Sequence, residues 1–194
     1  MKKITIITIV SVLTVVCGTT VSAQQNIPSK LLKGIEATTD EFTGVTTYSA
    51  KNCCLSIEQS GDSVRLYIGL SCSQFDTPVK LTAIHILSGG KTTTIQHNEN
   101  FNQKEVPVRV MTQNSTGRFG TTSYKGAQFD TRNQYIETWR EDATLHMPLV
   151  ESLANNAGKV KFEGENNTLY MEFTIKDAQR MASIMRLYEW LRQN

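Results

Sequence analysis

The sequence predicts an α+β domain, built mainly from an antiparallel β-sheet that is covered by a C-terminal helix, with one short additional helix. A sandwich-like arrangement is one form that such a sheet takes. From residue 41 onward, short runs rich in Val, Ile, Thr and Tyr are separated by Gly, Asn and Asp, and helical periodicity comes only near the end. Strands first and helices late, without regular alternation, argue against a doubly wound sheet.

The first 23 residues have the parts of an export signal peptide. Two lysines precede an apolar stretch over 4–16, and Val-Ser-Ala offers a cleavage site before Gln24. The apolar stretch is too short for a permanent span, so we expect no transmembrane segment in the mature chain. A lipid anchor at Cys17 is the less favoured alternative, because Val16 stands where a small residue is usual. We therefore expect an exported protein, periplasmic or extracellular.

The mature chain is electrically neutral. Two of the 20 basic residues belong to the signal peptide, which leaves 18 basic residues against 18 acidic ones. A neutral chain has no excess field that would concentrate nucleic acid, so we expect no nucleic-acid partner. Residues 24–39 read as a polar leader or arm, and residues 40–194 suit one β-rich globular domain.

Alternation of apolar and polar residues predicts the individual strands. The clearest is SVRLYIGLS (63–71), in which every second residue is Val, Leu or Ile. LTAIHILSGGKTTTIQH reads as a hairpin, because Gly89 and Gly90 tolerate the positive φ of a tight turn. In VPVRVM, the three valines share one face and Pro107 indicates an edge strand.

Three further stretches complete the predicted elements. QYIETWRED supplies a strand, and KVKFEGENNTLYMEFTI supplies a second hairpin. The inner face of that hairpin is expected to carry Leu169, Met171, Phe173 and Ile175. Immediately before QYIETWRED, the Gly-, Ser-, Thr- and Asn-rich segment 114–133 predicts a long mobile loop.

Two helices follow from capping signals and spacing. MPLVESLANNAG has Pro148 near its start and Gly158 just past its end. The final helix has Thr174 as N-cap and Asp177 as its capping-box partner. Its apolar stripe consists of Met181, Ile184, Met185, Tyr188 and Leu191. We expect this stripe to cover the sheet, rather than to form an exposed protein-binding groove.

Three stretches together resemble a known family. They are DEFTGVTTYSAK (40–51), SVRLYIG (63–69) and the ending from 149 to 191, which contains KFEG and a final helix with Tyr-Glu. In their order and spacing the chain resembles a family of small exported bacterial domains for which no activity is known. The resemblance implies a β-rich module with a C-terminal helix, and it implies no activity.

The adjacent cysteines in KNCCLS are the most conspicuous candidates for chemistry. Neighbours on a strand point to opposite faces, so Cys53 and Cys54 are not expected to share a metal. A bond between them would need a strained backbone. Leu55 and Ile57 continue the face of Cys53, which predicts that Cys53 faces the core. A bridge from Cys54 to Cys72 stays open, although the inferred register places Cys54 opposite Gly69.

Other polar residues show no catalytic spacing. His85, His97 and His146 lie in separate segments, and His85, in AIHIL, fits a half-buried, hydrogen-bonded residue. The acidic pairs, at 40–41 and 141–142, consist of strand neighbours that face apart. No phosphate loop, nucleophile elbow or dinucleotide fingerprint is present. The sequence thus assigns no catalytic, cofactor-binding or metal-binding residue, and no cofactor.

The favoured function is a non-catalytic exported domain of the envelope or the secreted space. It is expected to bind a protein, a peptide or a surface glycan, such as another envelope protein. The alternative is a cell-envelope hydrolase whose site is built from loops, with segment 114–133 as the expected source.

Overall fold

The computed structural model describes residues 27–119 and 122–194. The predicted signal peptide, with Cys17 and the cut before Gln24, lies outside the described residues. The strands are β1 (Glu36–Thr39), β2 (Thr46–Ser49), β3 (Leu55–Ser60), β4 (Ser63–Phe75), β5 (Leu81–Ser88), β6 (Lys91–Gln96), β7 (Phe101–Phe119), β8 (Thr122–Asp142), β9 (Gly158–Gly164) and β10 (Thr168–Phe173). A 3-10 helix (Ala143–His146) leads into α1 (Met147–Asn155), and α2 (Ile175–Gln193) follows β10.

The strands form two antiparallel sheets. The larger has six strands in the order β1-β2-β3-β4-β8-β7, and the smaller has four in the order β10-β9-β5-β6. The chain passes from the larger sheet to the β5–β6 hairpin, returns for β7 and β8, and then adds β9 and β10 to the smaller sheet. This mostly antiparallel architecture, with a short helix and a C-terminal helix, confirms the predicted α+β class.

The final helix covers the sheets with its apolar side. Met181, Ile184 and Leu187 are completely buried, and α2 contacts β3 and β4 of the larger sheet and β10 of the smaller. Tyr188 and Leu191 are also buried, whereas Met185 is half-buried. The stripe is therefore a core face, as the spacing predicts. Burial of this apolar surface supplies the main driving force for folding.

The start of α2 is fixed by a capping box. The Thr174 side chain accepts from the Asp177 backbone N–H at 3.3 Å, and the Thr174 backbone N–H donates to Asp177 Oδ2 at 2.8 Å. Burial raises the pKa of the Asp177 carboxyl, but the hydrogen bonds from Thr174 and the contact with Arg180 outweigh burial and lower it overall. Asp177 is thus held ionised at a helix N-terminus, where negative charge is stabilising.

The predicted hairpins are present, with two differences in detail. Gly89 and Gly90 turn β5 into β6 with φ values of 55° and 77°. Ile175 does not join the inner face of the second hairpin: it is the first residue of α2 and is exposed, because the strand ends at Phe173. Gly158 likewise begins β9 instead of ending α1.

The leader is partly described. Four apolar residues of 27–35 pack against the core, namely Ile27, Leu31, Leu32 and Ile35. The leader then continues into β1, whose register with β2 runs from Glu36 opposite Ser49 to Thr39 opposite Thr46. Over the described ranges, no helix is both long and apolar enough to cross a membrane.

Candidate functional site

Strands β7 and β8 extend far beyond the rest of their sheet. Strand β4 ends at Phe75, which pairs with Gln134 of β8, and Gln134 in turn pairs with Val106 of β7. Among the described residues, two strands continue past this level, residues 107–119 and 122–133, which we call the ribbon. At about 3.3 Å per residue, the ribbon is roughly 40 Å long. Segment 114–133, predicted to be a loop, is therefore largely strand, and that prediction is wrong.

One face of the ribbon carries an aromatic, a thioether and a cation side by side. Met111 lies opposite Phe129 across the two strands, and their side chains are 52% and 45% exposed. The guanidinium of Arg109 stacks over the Phe129 ring, 4.5 Å from its centroid. Aromatic residues, Met and Arg are the side chains that protein–protein interfaces favour most. This face thus has the composition of a recognition surface.

A second stacked arginine marks the opposite face, at the base of the ribbon. Arg132 lies 5.3 Å from the ring centroid of Phe75 and donates from Nε to Asp76 Oδ1 at 3.0 Å. The bond from Arg132 lowers the pKa of the Asp76 carboxyl, so this pair stays charged at neutral pH. On the same face, Val106, Val108 and Val110 are half-buried, in line with the predicted valine face.

The outer edge of the ribbon is protected against pairing with further strands. Strand β7 is an edge of the six-stranded sheet, as Pro107 predicts, and proline has no N–H to offer a new strand. The register also shifts between Met111 and Gln113, which marks a bulge or irregularity. Such features discourage edge-to-edge aggregation. The faces of the ribbon are therefore better suited to binding than this β7 edge.

A polar cleft of about 580 Å³ opens where the two sheets meet. Its lining consists of Lys80, Leu81, Thr82, His97, Phe101, Asn102, Gln103, Glu137 and Glu165. Glu137 is only 4% exposed, and its oxygens accept from the backbone N–H groups of Lys80 (2.8 Å) and Leu81 (2.7 Å). Glu165 pairs with the Lys80 ammonium at 3.4 Å on the rim. Both carboxylates therefore have structural partners.

Replacing Glu137 by Gln tests this structural role. The amide keeps one acceptor oxygen but turns an NH₂ group toward a buried N–H donor, so we expect a loss of about 1–2 kcal/mol in the free energy of unfolding. Glu165→Gln, on the exposed rim, is the matched control and should cost less than about 0.5 kcal/mol. Denaturant unfolding of both variants measures the difference, and equal stabilities would contradict the role given to Glu137.

Each of the three histidines contacts a different set of residues. His85 lies on the outer face of the smaller sheet, 2.9 Å from Thr94 Oγ1 and 3.2 Å from Glu163 Oε2, consistent with the expected half-buried, hydrogen-bonded residue. His146 Nε2 lies 2.7 Å from Glu141 Oε2. His97 packs against Phe101, with 4.9 Å between ring centroids. Within residues 27–119 and 122–194, no three or more His, Cys, Asp or Glu residues are placed to hold a metal ion.

Three of the four residues in the acidic pairs have structural partners. Asp40 accepts from the backbone N–H groups of Phe42 and Thr43, and the bond from Phe42 lowers the pKa of its carboxyl most. Asp142 caps the 3-10 helix through Thr144, whose side-chain bond is the main reason that the pKa of Asp142 is lowered. Glu141 accepts from the Asn100 amide at 3.0 Å.

The vicinal cysteines are free, and their orientation differs from the prediction. Strand β3 begins only at Leu55, and Asn52 has a φ of 52°, so strand alternation does not extend through the pair. Cys54, not Cys53, faces the core, with its thiol 3.6 Å from the Met181 sulfur. The predicted register is right, because Gly69 N donates to Cys54 O at 2.7 Å. Cys72 is free as well.

Thiol labelling of the native protein should therefore follow the observed orientation of the two cysteines. Burial raises the pKa of Cys53 to about 11 and that of Cys72 to about 12, and it also raises the pKa of Cys54. Cys53 is half-buried, so we expect it to react first and Cys54 last. Mass spectrometry of partly labelled mature protein checks this order. Denatured, unreduced protein should release three thiols, and a yield of one would contradict the free cysteines.

The ribbon is the feature that sequence reasoning missed. The sequence contains only a weak indication of this ribbon. VPVRVM shows the alternation typical of a strand, but the Gly- and Ser-rich segment that follows it is typical of a loop. No protein-family model matches the chain, and the search of curated proteins found no match either.

Proposed function

We propose that the protein is a non-catalytic exported binding domain that recognises another protein through its ribbon. The single observation that carries this proposal is a two-stranded ribbon, roughly 40 Å long, with Met111, Phe129 and Arg109 exposed on one face. A two-stranded hairpin is at best marginally stable in water by itself. A protein surface laid against the ribbon would stabilise it and bury its apolar side chains. The proposal of export is supported by the predicted signal peptide and by the resemblance to exported bacterial domains.

The composition of the exposed face favours a protein over a glycan. Burial of large aromatic and thioether side chains against a partner lowers the free energy of the complex. The guanidinium of Arg109, which is held in place by stacking, can add directional hydrogen bonds at low entropic cost. The domain body holds the base of the ribbon firmly, because β8 pairs with β4 over Gln134–Asp142. A rigid base reduces the entropy lost on binding.

The hydrolase alternative has less support. Its expected source, segment 114–133, is largely strand, and in the cleft between the sheets both Glu137 and Glu165 already have partners. A turnover assay of the mature protein with peptide, ester and glycoside substrates separates the two functions. We expect no turnover above that of the His97→Ala and Glu165→Gln variants. Turnover that either variant abolishes, with unchanged thermal stability, would overturn the proposal.

The export step gives a further prediction. Signal peptidase recognises small residues before the cut, so the mature protein should begin at Gln24. N-terminal sequencing or intact mass of exported protein measures this, with unexported precursor as the control. A lipid-modified Cys17 at the N-terminus would mean that the protein is anchored to a membrane instead.

A further inference from the structure

The recognition face of the ribbon continues into the cleft between the two sheets. The register of β7 and β8 runs without a shift from Phe101 opposite Trp139 to Met111 opposite Phe129. Because side chains alternate along a strand, the odd-numbered residues of β7 between these two pairs lie on one face. That series begins with Phe101 and Gln103, which line the cleft. The exposed ribbon and the cleft are therefore parts of one surface, which we call the continuous face.

Side chains of different chemistry follow one another along the continuous face. Met111 and its partner Phe129 form an exposed apolar end, and Arg109 comes next. Pro107 then supplies an uncharged level, and Glu105 supplies an exposed carboxylate before the face enters the cleft. The order from the ribbon toward the cleft is thus apolar, cationic, uncharged and anionic.

The two charges of this series are available to a ligand. Arg109 and Glu105 are both exposed, and neither forms a salt bridge within the part of the chain that the structure describes. Four residues separate them along the strand, or roughly 13 Å, which exceeds the screening length of about 8 Å at physiological salt. Stacking on Phe129 holds the Arg109 guanidinium in place, 4.5 Å from the ring centroid. A partner can therefore pair with each charge separately.

The spacing of this series matches that of an extended chain. Its successive members are two residues apart on β7, which places them about 6.6 Å from one another. In an extended partner segment, side chains that face the same way have the same spacing, so one of them can lie opposite each level. The cleft, which the segment before β5 bounds on its other side, is concave and has room for the end of such a segment.

From these observations we infer that the partner presents an extended segment whose alternate residues are apolar, acidic, uncharged and basic, in that order from the ribbon toward the cleft. The acidic side chain pairs with Arg109, the basic side chain pairs with Glu105, and the apolar side chain packs on Met111 and Phe129. This inference rests on the proposed function and deepens it, because it gives the chemistry of the partner. The two ion pairs fix the register of the segment more than they add affinity.

Two synthetic peptides of equal composition test this pattern. The matched peptide, Phe-Thr-Asp-Thr-Ser-Thr-Lys-Thr-Asn, follows the inferred order, and the exchanged peptide has Asp and Lys in each other's place. Each is made in both chain directions, because the inferred side-chain order does not depend on the direction of the backbone. Fluorescence anisotropy with the mature protein should give the matched order a dissociation constant about tenfold lower, since two exposed attractions replace two repulsions. High salt should reduce this preference.

Exchanging the charges on the protein gives the decisive result. The double variant with Arg109→Glu and Glu105→Arg should prefer the exchanged peptide, again by about tenfold. Both side chains are exposed, so the fold should be retained, which circular dichroism verifies. Lys104→Glu is the control, because it reverses an exposed charge next to this series but on the opposite face of β7. That variant should keep the wild-type preference.

Three results would each overturn the inference: no saturable binding of any of the peptides, equal affinity for the matched and exchanged orders, or a preference that the double variant does not reverse. The proposed function has a separate test. A protein that binds the ribbon through a folded surface, rather than through an extended segment, would still form adducts with a photoreactive residue at position 111.

Discussion

Replacing Met181 by Asp is expected to unfold the domain. Met181 is completely buried on α2, with its sulfur 3.6 Å from the Cys54 thiol, and α2 packs there against β3 and β4. Aspartate would leave an unpaired carboxylate in this apolar interior and would vacate part of the volume that Met fills. The cost is on the order of 5 kcal/mol or more, comparable with the total stability of about 5–15 kcal/mol of most domains.

Met185→Asp is the matched control, because it places the same charge one turn further along α2 at a half-buried position. Water reaches that site, so we expect a smaller loss and a protein that still folds. Circular dichroism and thermal unfolding of both variants measure the difference. A Met181→Asp protein with nearly wild-type thermal stability would show that α2 does not pack on the sheets in this way.

Gly164→Ala is expected to have the second largest effect. A Cβ at residue 164 would lie 2.2 Å from the backbone oxygen of Val79 and 2.8 Å from that of Lys80, far inside van der Waals contact. The segment cannot move away easily, because Glu137 binds the N–H of Lys80, and Glu165 N donates to Lys80 O at 3.1 Å. We expect a loss of about 3 kcal/mol, or roughly 10 °C in Tm.

Gly69→Ala provides the control for this overlap. Its Cβ would meet Trp139 O at 3.4 Å, an ordinary contact, so the change in stability should stay below about 1 kcal/mol. Differential scanning calorimetry of the two variants gives the comparison. If the Gly164→Ala protein were as stable as the Gly69→Ala protein, the result would contradict the close approach between the β9–β10 turn and the segment before β5.

Local sequence patterns predict most of the strands and helices, because alternation along one strand face, or one capping residue, is enough to specify each of them. Alternation in SVRLYIGLS, the Gly89-Gly90 turn and the Thr174–Asp177 capping box each depend on neighbouring residues, and each is confirmed. The spacing of the apolar stripe on α2 also predicted its burial. The order of strands in the two sheets depends on pairings far apart in the chain, which periodicity does not encode.

The errors have local physical reasons. Alternation extended backward from Leu55 predicts that Cys53 faces the core, but the positive φ of Asn52 precedes the pair and the strand begins after it. The composition of the ribbon predicts a loop because Gly, Ser and Asn are poor strand formers, whereas hydrogen bonding across two long strands outweighs that preference.

Site-specific photocross-linking in exporting cells tests the central claim, recognition of a protein by the ribbon, most directly. A photoreactive residue replaces Met111 on the ribbon or, as control, Leu145 on the 3-10 helix, which is also well exposed. The account predicts defined protein adducts from position 111 and none from position 145. An adduct of twice the chain mass identifies a second copy, and another mass identifies a different protein partner. No adduct from position 111, or equal adducts from both positions, would contradict the account.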